Sequence, residues 1–370
     1  MTASRMTSGL VLKYRNGLRF FIWRGYATVL SVSSWFSLTA PLDSIETLPA
    51  PPCLSDIFLV DLDQRRRGRL KRCCGEFRKQ LLLEASFMSS TAMRTQTSLP
   101  SYALLFFALL TFGITWCVIG GYIYFPEQAT ATFGEISGGH PLYFLATWAP
   151  GIAGFLLVLA FGGVRGLRAF LSRLLYWRCA PVWWAFILIG IPAVFMIGSL
   201  IKSGPLLAPI LPEGVDAMVA LMVMMLFLGP MEEFGWRGVA QPLLQRHIAP
   251  FWAGAIIGAA WGFWHLPAFY LAGVVYENWS FLPFFIGNVT LAILVTPIFN
   301  ASRGSLLLPM LFHWQLINPF WPDAQPYDTW ILVVVAVVVV WLTRKTMFSR
   351  NGTVTEVILP ARDAAPQLAE

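Results

Sequence analysis

From Ser101 onward one pattern repeats: long apolar runs broken by short polar stretches. A helix that crosses a bilayer needs about 20 mostly apolar residues. Eight runs meet or approach that length, at roughly 101–125, 141–163, 181–201, 215–231, 251–272, 281–300, 304–321 and 328–343. The last contains an almost unbroken valine run and is the clearest; the fourth and seventh are short and carry polar groups. Runs of this length predict helices and not barrel strands, because in lipid each segment must satisfy its own backbone N–H and C=O groups. The predicted fold class is all-α, a polytopic bundle of about eight transmembrane helices.

The polar stretches alternate in charge. Lys and Arg gather before the first span, in the second–third loop (Arg165, Arg168, Arg173, Arg178), the fourth–fifth (Arg237, Arg246), the sixth–seventh (Arg303) and the tail (Arg344, Lys345, Arg350). The intervening loops carry mainly acids: Glu127 and Glu135, Glu213 and Asp216 beside Lys202, Glu277, then Asp323 and Asp328. Basic loops stay in the cytoplasm. Eight crossings with this alternation place both termini there.

Composition agrees. Of 370 residues 57% are hydrophobic and 12% charged, with mean hydropathy +0.64. Soluble domains are about 25% charged, so a soluble, disordered or fibrous chain is excluded. The formal charge of +7 raises nucleic-acid binding, but the excess is local. Residues 1–100 hold 14 Lys/Arg against 7 Asp/Glu, and residues 101–370 hold 12 of each. No nucleic-acid partner is expected. The chain divides into a basic extension (1–95), a transmembrane domain (96–345) and a short tail (346–370). The extension reads either as a basic arm beside anionic lipid or as untranslated sequence ahead of a start at Met88 or Met93. Its composition favours the second, which N-terminal sequencing of the native protein checks. Five cysteines without a CxxC pair give no disulfide framework and no cysteine metal site.

Ionisable groups inside a membrane are costly, so they are functional candidates by default. The densest cluster is Met231-Glu232-Glu233-Phe234-Gly235-Trp236-Arg237-Gly238. On a helix Glu233 and Arg237 lie at i and i+4 and can pair. Glu232 is turned about 100° away and lacks that partner. The spacing predicts one bracing and one working carboxylate. Gly229-Pro230 just ahead predicts a kink or a restarted helix. His265 and His313 also fall in apolar runs, with Asn288, Asn300 and Asn318 near membrane depth. Two histidines and a carboxylate from three helices suit a divalent ion with a position left for water. Alternatively the carboxylate alone activates water. Taken singly, each feature has a plainer reading: an interhelical hydrogen bond for either histidine, a solvated helix end for the acids, and packing for Trp261, Phe263 and Trp264.

Glu232-Glu233-Phe-Gly-Trp-Arg237, Trp261-Gly-Phe-Trp-His265 and the stretch from Phe299 to His313 occur in order. They resemble the CPBP intramembrane proteases, also called the CAAX prenyl endopeptidase or Abi family, marked by EExxxR, FxxxH and HxxxN. Two departures stand out. Trp261 replaces the Phe, and Ile317 stands where the Asn belongs, with Asn318 one residue late. Asn318, Asn300 or Gln315 is left to fill that role.

The resemblance implies an integral-membrane endopeptidase with Glu232 as general base, Glu233 and Arg237 bracing it, and His265, His313 and Asn318 completing the site. It implies a divalent metal, zinc, on Glu232, His265 and His313, or a metal-free glutamate mechanism. The substrate would be a peptide or membrane-anchored protein, a prenylated CAAX-type tail included. The expected location is a bacterial plasma membrane, with the site open to the cytoplasmic side. The competing reading is a non-catalytic immunity or scaffold protein that binds a peptide toxin or partner.

Overall fold

The computed structural model describes residues 99–207 and 214–359, together with the backbone of five short strands between Thr2 and Pro41. The chain divides into two units, Met1–Ser90 and Thr91–Glu370.

The first unit holds strands β1 (Thr2–Met6), β2 (Gly9–Lys13), β3 (Arg19–Trp23), β4 (Tyr26–Leu30) and β5 (Leu38–Pro41), an antiparallel sheet in sequence order. Transmembrane periodicity gave no hint of it, because strands this short leave no 20-residue signature. Runs such as Arg-Phe-Phe-Ile-Trp are rich in residues favoured on a pleated surface. Cys53, Cys73, Cys74, Met88 and Met93 lie outside the described residues.

The second unit is all-helical, as the apolar runs predict. Its helices are α1 (Ala103–Tyr124), α2 (Pro126–Phe133), α3 (Pro141–Thr147), α4 (Ala149–Leu171), α5 (Pro181–Ile201), α6 (Val215–Gln245), α7 (Pro250–Trp264), α8 (Phe281–Ala301), α9 (Leu307–Leu316) and α10 (Tyr327–Met347). Among the described residues, α1, α4 with the turn after it, α5, α6, α8 and α10 are long and apolar enough to cross a membrane. The fifth and seventh predicted spans are shorter, 15 and 10 helical residues. They end beside Pro267 and before Pro319, residues that cannot continue a helix ladder. The fourth run, short in sequence, is instead the longest, 31 residues in one helical path.

Close packing of α7 on α8 comes from Gly254, Gly258 and Gly262, spaced four apart. A Cβ at Gly258 would lie 2.5 Å from Val289 Cα, and one at Gly254 2.6 Å from Thr296 Oγ1. Small residues at this spacing let membrane helices approach backbone to backbone. Gly258→Val is expected to cost about 1–3 kcal/mol by overpacking, read as a lower unfolding midpoint in detergent.

Two of the basic residues used to orient the chain prove to be structural. Arg173 is fully buried and donates to Gly304 O (2.7 Å), Gly238 O (3.0 Å) and Val357 O (2.9 Å). Its guanidinium stacks on Phe170 and Phe299. Carbonyl dipoles and ring faces do here what a carboxylate would do elsewhere. Arg237 sits inside α6 and not in a loop. The exposed basic residues Arg165, Arg168, Arg303 and Arg350 keep the alternation intact.

Candidate active site

Glu232 and Glu233 are 2% and 1% exposed, and they lie midway along α6. A solvated helix end is therefore not their setting. Around them the helix departs from α geometry, with a 3₁₀ turn at Gly229–Glu232 and a π turn at Trp236–Ala240. Pro230 opens the 3₁₀ turn, as Gly229-Pro230 predicts. π turns concentrate at functional sites.

The pairing read from spacing is present. Glu233 Oε1 accepts from Arg237 Nη1 at 3.0 Å and from His313 Nδ1 at 2.8 Å. Glu232 faces elsewhere: its Oε2 accepts from Trp261 Nε1 at 2.7 Å. A cavity of about 620 Å³ is lined by Glu232, His265, His313, Asn288 and Asn318, but by neither Glu233 nor Arg237. One carboxylate thus looks into open space while its neighbour holds two cationic or donor groups behind the wall.

His265 follows the last residue of α7, and its Nδ1 bonds Trp261 O at 2.8 Å, a carbonyl at the helix end. The same carbonyl accepts from the backbone N–H of His265 at 3.3 Å, so ring and backbone of His265 share one acceptor. With Nδ1 of each histidine occupied, by Trp261 O and by Glu233, the Nε2 atoms are left for the cavity. His313 lies across Gly229, where a Cβ would sit 2.7 Å from its Nε2. Only a glycine leaves room for that imidazole, a second role for a residue read from sequence as a kink element.

The asparagine question has a geometric answer. Helix α9 ends at Leu316, so the chain has left helical geometry before Asn318 and the 100° offset no longer applies. Asn318 lines the cavity, and its Oδ1 accepts from Phe320 N. Asn300 exchanges amide hydrogen bonds with Gln245 and accepts from Val354 N, away from the cavity. Gln315 donates to Ile187 O and accepts from Trp321 Nε1. It positions Asn318 at 3.5 Å and does not line the cavity.

Trp261 was read as packing, and the structure gives it a larger part. Besides bonding Glu232, its ring lies 5.2 Å from the Arg237 guanidinium and 5.2 Å from the His313 ring. The available signal was the indole N–H: inside an apolar run it needs an acceptor. Trp261→Phe, which restores the aromatic type expected by resemblance, removes that donor. Hydrogen bonds to charged groups contribute about 1.5–3 kcal/mol, so cleavage in this variant is expected to fall about tenfold or more. A rate equal to wild type would leave the indole N–H without a catalytic part. Tyr143, Tyr276 and Asp328 also line the cavity and had no motif to mark them.

Glu232, His265 and His313 share the cavity, but they do not gather as a ligand set. Among the described residues no three His, Cys, Asp or Glu side chains stand close enough together to hold one ion. The donor set as placed does not fit zinc, which binds at about 2.0–2.2 Å to nitrogen and oxygen.

The cavity extends toward one end of the bundle. The cavity lining includes Gly138 between α2 and α3, Gly273 and Trp279 between α7 and α8, and Asp323 between α9 and α10. It includes no residue of the arginine-bearing loops. The cavity therefore reaches the face opposite the basic one.

Comparison with known proteins bears out the family resemblance. Residues 214–318 match the family model described as Type II CAAX prenyl endopeptidase Rce1-like. A curated relative, CAAX prenyl protease 2 of Methanococcus maripaludis, is 29% identical over 145 residues, which is 36% of this chain and 54% of that protein. The chain thus spans about half the length of the curated relative it matches. The matched segment runs from the start of α6 past His313 and holds all six residues singled out as the site.

Proposed function

We propose, starting from this CAAX endopeptidase-like segment, that the protein is an integral-membrane endopeptidase that uses Glu232 to activate water. The single observation that carries the reading is the division of labour between adjacent acids. Glu232 lines a cavity large enough for a peptide segment, and Glu233 is held behind it by Arg237 and His313.

In this mechanism Glu232 takes a proton from a water as its oxygen attacks the scissile carbonyl carbon. The C–N bond then breaks, and Glu232 returns the proton to the leaving amine. Trp261 Nε1 fixes the carboxylate through Oε2. His265 and His313, each anchored at Nδ1, turn Nε2 toward the cavity, where each ring nitrogen can hold the attacking water or a substrate amide N–H. Asn318 and Asn288 add amide donors on the same wall. No step runs through a metal, because the donors do not converge on one point.

The test is cleavage of a membrane-peptide library by the purified full chain in liposomes, with product masses read by mass spectrometry. Cleavage that survives exhaustive treatment with a strong chelator is expected. Abolition by the chelator with recovery on added zinc would return the metal to the mechanism. A wild-type protein that cleaves nothing, yet binds a peptide or toxin unchanged by Glu232→Ala, would favour the binding protein.

A further inference from the structure

The cavity carries a charge imbalance that the cleavage step does not use. Its lining includes three carboxylates, Glu232, Asp323 and Asp328, and among the described residues no Lys or Arg. Glu232 is taken up by the chemistry. Asp323 is exposed and pairs with Lys202 at 2.6 Å. Asp328 is left over.

Asp328 stands in the first turn of α10 and is 6% exposed. Its Oδ1 accepts from Thr329 N at 2.7 Å, and the positive end of a helix favours an acid there. These features hold the carboxylate in place without pairing it. Among the described residues no Lys, Arg or His lies within ion-pair distance of it. A carboxylate this buried in a membrane protein is costly without a countercharge. It also lies beyond the segment matched to the family model, which ends at residue 318, so that match gives it no part.

Packing fixes where this acid stands. A Cβ at Gly198 would lie 2.8 Å from Ala324 Cβ and 3.1 Å from Asp328 N, so the start of α10 is pressed against α5. A Cβ at Gly287 of α8 would lie 3.3 Å from Thr329 Oγ1. Phe284, one turn earlier on α8, meets the His265 ring at 5.0 Å between centroids. That turn is about 5 Å along the helix, and an extended peptide advances about 3.3 Å per residue. Asp328 and His265 therefore flank the same stretch of α8, a few peptide residues apart.

We propose that Asp328 is a specificity-determining residue, whose carboxylate receives a basic side chain, Lys or Arg, a few residues from the scissile bond of the peptide substrate. This rests on the endopeptidase reading above and adds a recognition element to it. The ammonium or guanidinium of the substrate supplies the countercharge that the protein lacks. The alkyl stem lies along the apolar wall, to which Leu291 and Leu332 contribute, and only the charged tip meets the acid. A neutral side chain of the same length leaves the carboxylate unpaired, and that difference is the source of selectivity.

The experiment measures peptide binding to the full chain in phospholipid nanodiscs. A Glu232→Gln background prevents turnover and removes the rival buried carboxylate. The probes are Ala/Leu decapeptides with blocked ends and a neutral dye. Each carries one Lys, stepped along the peptide, and is compared by fluorescence anisotropy with its norleucine counterpart.

Lys at one or two adjacent positions should bind about tenfold more tightly than norleucine, the scale of a hydrogen bond between charged partners. Asp328→Asn should erase that preference. Its amide oxygen still accepts from Thr329 N, so the unfolding midpoint should stay near that of the parent. Asp328→Lys should reverse the preference, toward Glu; if it does not fold, Asp328→Asn decides alone. A Lys preference that survives Asp328→Asn would overturn the proposal, whether or not the midpoint falls, because the acid would then serve only its helix end. Equal or absent binding of Lys and norleucine peptides at every position would overturn it too. The tightest-binding peptide is then offered to protein with Glu232 intact. A Lys preference that depends on Asp328, with no cleavage, would sink the endopeptidase reading alone. Cleavage without a Lys preference would sink the role of Asp328 alone.

Discussion

Glu232→Gln is expected to lower peptide cleavage by the purified protein by about 10²–10⁴-fold, the range for loss of a general acid–base group, while the bundle stays folded. The amide keeps the shape of the side chain and an oxygen for Trp261 Nε1, now 2.7 Å from Glu232 Oε2. It cannot take up the proton of an attacking water. Glu232 lines open space, and its bond to Trp261 on α7 is kept by the amide oxygen, so the change removes little stability. The measurement pairs initial cleavage rates with an unfolding midpoint in the same detergent. A cleavage rate within a few-fold of wild type would remove Glu232 from the mechanism. A collapse of stability would reassign it to structure.

The opposite signature is expected one residue later. Glu233, Arg237 and His313 are 1%, 1% and 4% exposed and meet at one carboxylate oxygen. Breaking a buried ion pair by removing one partner costs about 3–5 kcal/mol, since the other charge is left uncompensated. Arg237→Ala should therefore destabilise by that amount and also lose the guanidinium contact with the Trp261 ring. Glu233→Gln should cost less, because the amide oxygen still accepts from Arg237 and His313 while the countercharge is gone. Replacing both, Glu233→Leu with Arg237→Met, should recover much of the stability, as buried pairs often tolerate apolar substitution. It should not recover cleavage, because His313 Nδ1 would have lost its anchor. Unfolding midpoints for the three variants, with cleavage measured beside them, separate the effects. Wild-type stability in Glu233→Gln and Arg237→Ala would contradict the bracing role.

Much of this site could be read from local spacing. The i, i+4 relation of Glu233 and Arg237 holds even through the π turn, because the turn begins after Glu233 and the two side chains stay on one side of α6. The 3₁₀ turn that begins at Gly229-Pro230 follows from proline chemistry alone. Trp261 was undervalued because an apolar run disguises an N–H donor, and its acceptor lies 29 residues away on another helix. Asn318 was off register for a simple reason: the offset of 100° assumes a helix that in fact stops at Leu316. Asn300 was a fair alternative by depth and is excluded only by its pairing with Gln245 and the tail.

The sequence by itself determined the all-helical membrane class, the alternation of basic and acidic ends, and the split between two neighbouring acids. These are properties of local composition and of helical periodicity, both carried by residues a few positions apart. Only the tertiary structure decided which end of the bundle the cavity reaches, that the working acid sits mid-span, and which polar groups gather round it. Those depend on how α6, α7, α8 and α9 are stacked. Stacking is set by close contacts such as Gly258 on Val289 and Gly229 under His313, between residues far apart in the chain, whose partners no pattern along one helix can name.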